Sequence, residues 1–361
     1  MFQKSIIAAA VALYAVVVGC TLIQSSTAPS SSDAKSTEVP TTYRATLAEG
    51  LPFRAVTLQI QRVDWIDKYK QSIDEIADVG ADAVKFVVDA RQENGSSSRI
   101  YLDMRMTPTP QQLSELIQYA RKKNLRVILM PIVLLDAPRG TEWRGRIEPE
   151  SWEKWWESYR EMLNHFAWIA AGNSVDVLVV GSELVSTEKQ IDEWTKTIEK
   201  VRHIFPGKLT YSSNWDHYTA VKFWDQLDFI GMNSYWTLGK TRDASVDEIK
   251  KNWQKIQKEL FAFQSKVRKP IFFLEVGWCS MANMAYEPWD YTKDEDDAPT
   301  DVDLQKRLYD GFFESWHGRP ELGGFSIWVW SPNEGGPDDR DYTPKGKPAE
   351  AVLRNWLAKK W

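Results

Sequence analysis

VDVLVVGSE, Val175–Glu183, is an apolar run of β-branched and leucine residues that stops at Gly181 and Ser182 and delivers a carboxylate. Directly after it, Ser186–Lys189 opens a polar helix pattern. A continuous apolar run of this length reads as a strand buried on both faces, as in a parallel sheet. A glutamate at the exit of such a strand has to be ion-paired, hydrogen-bonded or turned into a cleft, because an unpaired buried carboxylate is costly.

The same strand-then-helix phrase recurs along the chain from Leu51 onward. Strand patterns fall at 54–60, 82–89, 126–133, 175–183, 208–215, 228–235, 270–278 and 324–330. Helical periodicity falls between them at 65–79, 110–123, 150–171, 188–204, a short segment at 220–226, 247–267, 302–316 and 349–359. Phe205-Pro206-Gly207 and Arg268-Lys269-Pro270 break the pattern where strict alternation needs a stop. Eight such units predict an α/β chain folded as a single (β/α)8 TIM barrel. A doubly wound open sheet would bring a glycine-rich phosphate loop after an early strand, and none is present. In a barrel the functional residues gather at the C-terminal ends of the strands.

Composition narrows the chemistry. The 361 residues carry a formal net charge of -5 with both signs interspersed, so there is no basic footprint for nucleic acid and no charged tail for a partner. The expectation is a monomer. Eighteen Trp exceed ordinary packing needs, and a flat apolar face with a polar edge suits stacking on sugar rings, although most of these side chains are expected in the core. The four His show no metal-ligand spacing, and KDEDD at Lys293–Asp297 lacks the turn glycine of a calcium loop and reads as a solvated lid. No metal and no cofactor is expected.

The amino terminus follows a different logic. Lys4 precedes an apolar run from Ile6 to Val18, too short to span a bilayer and shaped like a secretory signal. It ends in Val17-Val18-Gly19-Cys20, which resembles a bacterial lipobox, so residues 1–19 are expected to be a lipoprotein-type signal peptide and Cys20 the lipidated residue. Residues 20–48 are then a Ser/Thr/Pro-rich tether and 49–361 the barrel. These features predict an exported protein, anchored to a membrane through lipid and facing the periplasm or cell exterior. With Cys279 the other cysteine, no intrachain disulfide framework is expected.

Two of the strand-end residues carry the chemistry. Glu183 on the fourth strand and Glu275 on the seventh each follow at least four consecutive residues without a charge, and in a barrel they would face each other across one mouth. Paired carboxylates suit glycosidic cleavage, in which one protonates the leaving oxygen while the other attacks the anomeric carbon or activates water against it. Asn214 with Trp215, Asn233 with Tyr235, Trp278 and Trp330 surround them at neighbouring strand ends, and Tyr235 is placed to donate to a carboxylate on the next strand.

WRGRIEP (Trp143–Pro149), VGSELVSTE (Val180–Glu188), YSSNWD (Tyr211–Asp216), FWDQLDFIGMNSYW (Phe223–Trp236), FFLEVGWCS (Phe272–Ser280) and the tail from FSIWVW to YTPKGKPA together resemble glycoside hydrolase family 113, β-mannanases within the clan of retaining barrels. The resemblance implies Glu183 as acid/base, Glu275 as nucleophile, Tyr235 in contact with that nucleophile, and Trp330 as the platform under the sugar. Trp278, Asn214, Trp215 and Trp143 are further candidates for the cleft. It implies a retaining β-glycoside hydrolase acting on a β-1,4-linked polysaccharide or oligosaccharide, with mannan the leading substrate. The alternatives are the same mechanism on another β-glycan such as glucan, xylan or an exopolysaccharide, and a non-catalytic surface carbohydrate-binding lipoprotein. Two departures stand out: Ser182 occupies the place where most of the clan has Asn, and the third strand reads LMPIVLLD with no basic or His residue beside Pro131.

Overall fold

The computed structural model describes residues 49–361, and the signal, tether and Cys20 expectations lie outside the described residues. Eight parallel strands form the barrel wall: β1 Phe53–Ile60, β2 Ala83–Gln92, β3 Arg126–Leu135, β4 Val177–Ser182, β5 Lys208–Ser212, β6 Ile230–Asn233, β7 Ile271–Val276 and β8 Leu322–Ile327. A two-residue strand, Ile100–Tyr101, adds antiparallel to the end of β2. Hydrogen-bonded neighbours run β5-β4-β3-β2-β1-β8-β7-β6. The two ends of that order meet through a parallel bridge between Ser213 and Met232. There the Ser213 amide donates to Gly231 O at 3.1 Å and the Asn233 amide donates to Ser213 O at 3.0 Å. The predicted (β/α)8 barrel is the observed fold.

Seven α-helices surround the wall: α1 Ile66–Asp78, α2 Pro110–Lys122, α3 Trp152–Gly172, α4 Ile191–Ile204, α5 Val246–Val267, α6 Val302–Trp316 and α7 Pro348–Leu357. Their starts carry capping signals legible in the sequence. Thr109 and Gln112 form a reciprocal capping box with Pro110 at the first turn of α2, and Ser151, Ser245 and Asp301 cap α3, α5 and α6. Each such cap stabilises its helix by about 1 kcal/mol. The helix expected near 220–226 is absent; a single 3-10 turn, Trp224–Gln226, stands between β5 and β6.

The core has two parts. Inside the barrel, Phe53, Ala55, Ala83, Val87, Ile128, Met130, Ile132, Val177, Val179, Phe229, Phe272 and Leu274 pack in layers. Between wall and helices lies a larger layer rich in aromatic residues, including Trp155, Trp156, Tyr159, Trp194 and Tyr211. Most of the tryptophan surplus is therefore packing. Cys279 is buried and unpaired. Among the described residues no helix is long and apolar enough to cross a membrane.

Candidate active site

Glu183 emerges from β4 through a bulge. The register between β4 and β5 shifts between Val179 and Ser182, which breaks the strict alternation of faces. Val179 faces the interior, whereas Val180 and then Gly181 both face the helix layer. At Gly181 an added Cβ would lie 2.7 Å from Trp194 and 2.9 Å from the Tyr159 hydroxyl, so only glycine fits. Tyr159 donates to Val180 O at 2.6 Å and holds the bulge from behind. Glu183 then adopts φ 54°, a left-handed conformation that costs a non-glycine residue about 1–2 kcal/mol. Two bonds offset that cost: the Glu183 amide donates to Ser212 O at 2.8 Å, and the Leu184 amide donates to the Tyr211 hydroxyl at 2.9 Å. Tyr211 in turn donates to Glu188 at 2.9 Å, with His217 Nδ1 3.5 Å from the other oxygen of Glu188.

The strained turn aims the Glu183 carboxylate into the barrel mouth, where 14% of the side chain is exposed. Arg144, from the loop between β3 and α3, donates to Oε2, and Asn233 Nδ2 at the end of β6 donates to Oε1 at 2.5 Å. Burial raises the Glu183 pKa above its ordinary value, Arg144 works against that rise, and Glu275 adds to it.

Glu275 lies on β7, 5% exposed, and its Oε2 accepts from the Tyr235 hydroxyl at 2.8 Å. Burial first, and then the Glu275 charge, push the Tyr235 pKa well up, so Tyr235 stays a donor. Asn233 ties the set together. Its amide also donates to Asn214 Oδ1 at 3.1 Å, and its oxygen accepts from the Trp215 amide at 2.7 Å. Trp215 is partly exposed, lies nearly parallel to Trp289 with ring centres 6.1 Å apart, and meets Trp236 edge-on. Trp143 adjoins Arg144, its ring folded against Gly145, where an added Cβ would fall 2.3 Å from it.

Two expected cleft residues are elsewhere. Trp330 is 1% exposed and donates from its indole to Glu75 on α1 at 2.7 Å, so it offers no face to a sugar. The strand stops at Ile327, and Trp328, partly exposed and packed on the interior cluster, is the tryptophan at the mouth. Trp278 is fully buried, edge-on to Tyr309 of α6 with ring centres 5.2 Å apart. Ser182 is also buried, and Asn214, partly exposed, is linked to Glu183 through Asn233.

Sequence reasoning missed Arg144, Lys85, Trp328 and Trp289. Lys85 was visible as a lone cation within an apolar strand, and Trp328 stood two residues from the one chosen. Nothing local distinguished Arg144 or Trp289 from other loop residues. Among the described residues no group of His, Cys, Asp and Glu is arranged to hold a metal ion. The KDEDD loop is tied by ion pairs, Lys293 to Glu287 and Glu295 to Arg340.

The family model for Glycoside Hydrolase Family 113 matches residues 56–347. A GH113 β-1,4-mannanase solved as a complex superposes with a TM-score of 0.77 at 26% identity, covering 86% of this chain and 100% of its own. A GH113 β-mannanase from Alicyclobacillus acidocaldarius in complex with ManMIm gives 0.76 at 27% identity, covering 86% and 98%. A GH5_18 protein from Streptomyces cattleya in complex with GlcNAc, at 14% identity and a TM-score of 0.59 over 88% and 82% of the two chains, shares the fold. No curated protein sequence matches the chain.

Proposed function

The chain belongs to glycoside hydrolase family 113, and from that premise we propose that it hydrolyses a β-1,4-linked mannan or its oligosaccharides with retention of anomeric configuration. The observation that carries this reading is the differentiated pair: Glu183 raised by burial and contacted by Arg144 and Asn233, Glu275 held by Tyr235, both at one barrel mouth. Solved family members at 26% and 27% identity are described as β-mannanases.

In the proposed mechanism Glu275 attacks the anomeric carbon as Glu183 passes its proton to the departing glycosidic oxygen. An ester to Glu275 forms and the leaving sugar departs protonated. Glu183, now ionised, takes a proton from water, whose oxygen attacks the same carbon and expels the Glu275 carboxylate. Each residue's surroundings suit its part. Burial keeps a carboxyl protonated for donation, and a hydroxyl donor stabilises a carboxylate. Trp328 is the platform for the cleaved sugar, Asn214 the amide toward its hydroxyls, and Trp215 with Trp289 the apolar wall on the leaving-group side. Lipidation at Cys20 would hold the enzyme at a membrane surface outside the cytoplasm.

The apolar Met130 and Ile132 on β3, where a basic or His residue was expected, favour a second reading with the same mechanism on another β-glycan. A reducing-sugar assay across mannan, glucan, xylan and exopolysaccharide separates the two. Hydrolysis of mannan is expected, and inactivity on every mannan with turnover of another glycan would replace the substrate. Glu183→Gln and Glu275→Gln variants should fold and lose nearly all turnover, with azide restoring activity to Glu183→Gln on an activated aryl glycoside. Glycan binding without turnover by the wild type would instead establish the non-catalytic lipoprotein.

A further inference from the structure

We propose that Lys85 is a positioning residue for Glu275, a cation built through the barrel axis that holds the nucleophile's strand in place and stabilises its carboxylate when it departs from the sugar. The inference rests on Glu275 being the nucleophile.

Lys85 lies on β2 between Ala83 and Val87, both interior residues, and is fully buried. Its ammonium crosses the barrel and donates to the carbonyl of Leu274, the residue before Glu275 on β7. The same ammonium sits 5.1 Å from the centre of the Trp328 ring, a cation–π contact with the residue at the mouth. One side chain therefore touches the nucleophile's strand and the sugar platform together.

Burying an ammonium in an apolar layer is expensive unless it is compensated. On the flanking strands the residues in register with Lys85 are Thr57 and Ile128, and the Thr57 hydroxyl is occupied by Ser326 at 2.8 Å. The charges it meets are the carboxylates of Glu275 on β7 and Glu183 on β4. Glu275 itself accepts from Tyr235, just past β6, and interacts electrostatically with Lys85, Glu183, Arg144 and Tyr342. Burial brings Lys85 down to about 8, with Glu275 and Glu183 working upward, so it is mostly charged at neutral pH.

The consequence falls on the second half-reaction. When water attacks the glycosyl ester, the bond between the anomeric carbon and the Glu275 oxygen breaks and its electron pair returns to the carboxylate. Lys85 stabilises that returning charge. In the first half-reaction the same ammonium stabilises the attacking carboxylate already in the ground state, so it does not speed attack.

Two experiments on the full chain test this. NMR titration of protein labelled with carbon-13 at the lysine ε-carbon, with Lys85→Arg identifying the signal, should show Lys85 titrating near 8 in the wild type. In Glu275→Gln it should titrate lower by about one pH unit or more. This arm needs no turnover, so it decides the Lys85 contact even if mannan proves to be the wrong substrate. On an aryl β-mannoside, Lys85→Met should slow deglycosylation about tenfold without slowing glycosylation, seen as a burst of phenolate. Lys85→Arg should recover part of the lost rate. A Lys85 signal unmoved by Glu275→Gln, or a folded Lys85→Met enzyme with no burst, would overturn the proposal.

Discussion

Glu183 pairs with Arg144, a contact that favours the ionised carboxylate, although an acid must hold its proton. Burial and Glu275 oppose Arg144 and leave the balance on the raised side. A raised value keeps Glu183 protonated to higher pH, and the acid function fails as pH climbs through it. Replacing Arg144 with Met removes the neighbouring charge that most favours ionisation, so the base limb of kcat/KM should move to higher pH. A limb unchanged or moved lower in the pH profile would contradict the role given to Arg144. The two tryptophans past β8 divide similarly. Trp328→Ala should cut kcat/KM by about 100-fold, because a stacking face is lost, and lower the melting temperature as well, because the ring also packs on the interior cluster. Trp330→Phe should leave kcat/KM intact and cost about 1–3 kcal/mol in urea unfolding, since Glu75 loses a buried donor.

The bulge at the end of β4 aims Glu183, and the elements behind it are aromatic. Tyr159 from α3, Trp194 from α4 and Tyr211 from β5 close around Gly181 with no space for a methyl group. Gly181→Ala should destabilise the protein by about 1–3 kcal/mol through overpacking, and kcat should fall more than KM changes because the acid is re-aimed. Urea unfolding with steady-state kinetics on the same variant checks both. The strands and helices were legible because apolar runs and capping residues announce themselves over several positions. The bulge was not. Strict alternation would put Gly181 and Glu183 on one face, and only the aromatic layer from distant segments reveals that Gly181 turns outward. Trp330 was misplaced because the apolar strand pattern runs on to 330, whereas the strand ends at Ile327 and the mouth falls at Trp328.

At the scale of the whole molecule, a barrel brings β4 and β7 to opposite sides of one mouth, so two glutamates 92 positions apart meet without either loop specifying it. That meeting was readable from strand count alone, whereas Arg144 and Trp289 arrive on loops whose paths follow no period. The expected membrane anchorage implies that Cys20→Ala will release the protein from membranes with the barrel's activity unchanged, as fractionation and assay would show. Retention on the membrane would contradict lipidation at Cys20. The most direct measurement is mass spectrometry of the peptides of the enzyme inactivated with a 2-deoxy-2-fluoro-β-mannosyl fluoride. A retaining mechanism with the assigned nucleophile predicts one fluoromannosyl ester, on Glu275; an unlabelled enzyme that still turns over mannan, or a label on another carboxylate, would contradict it.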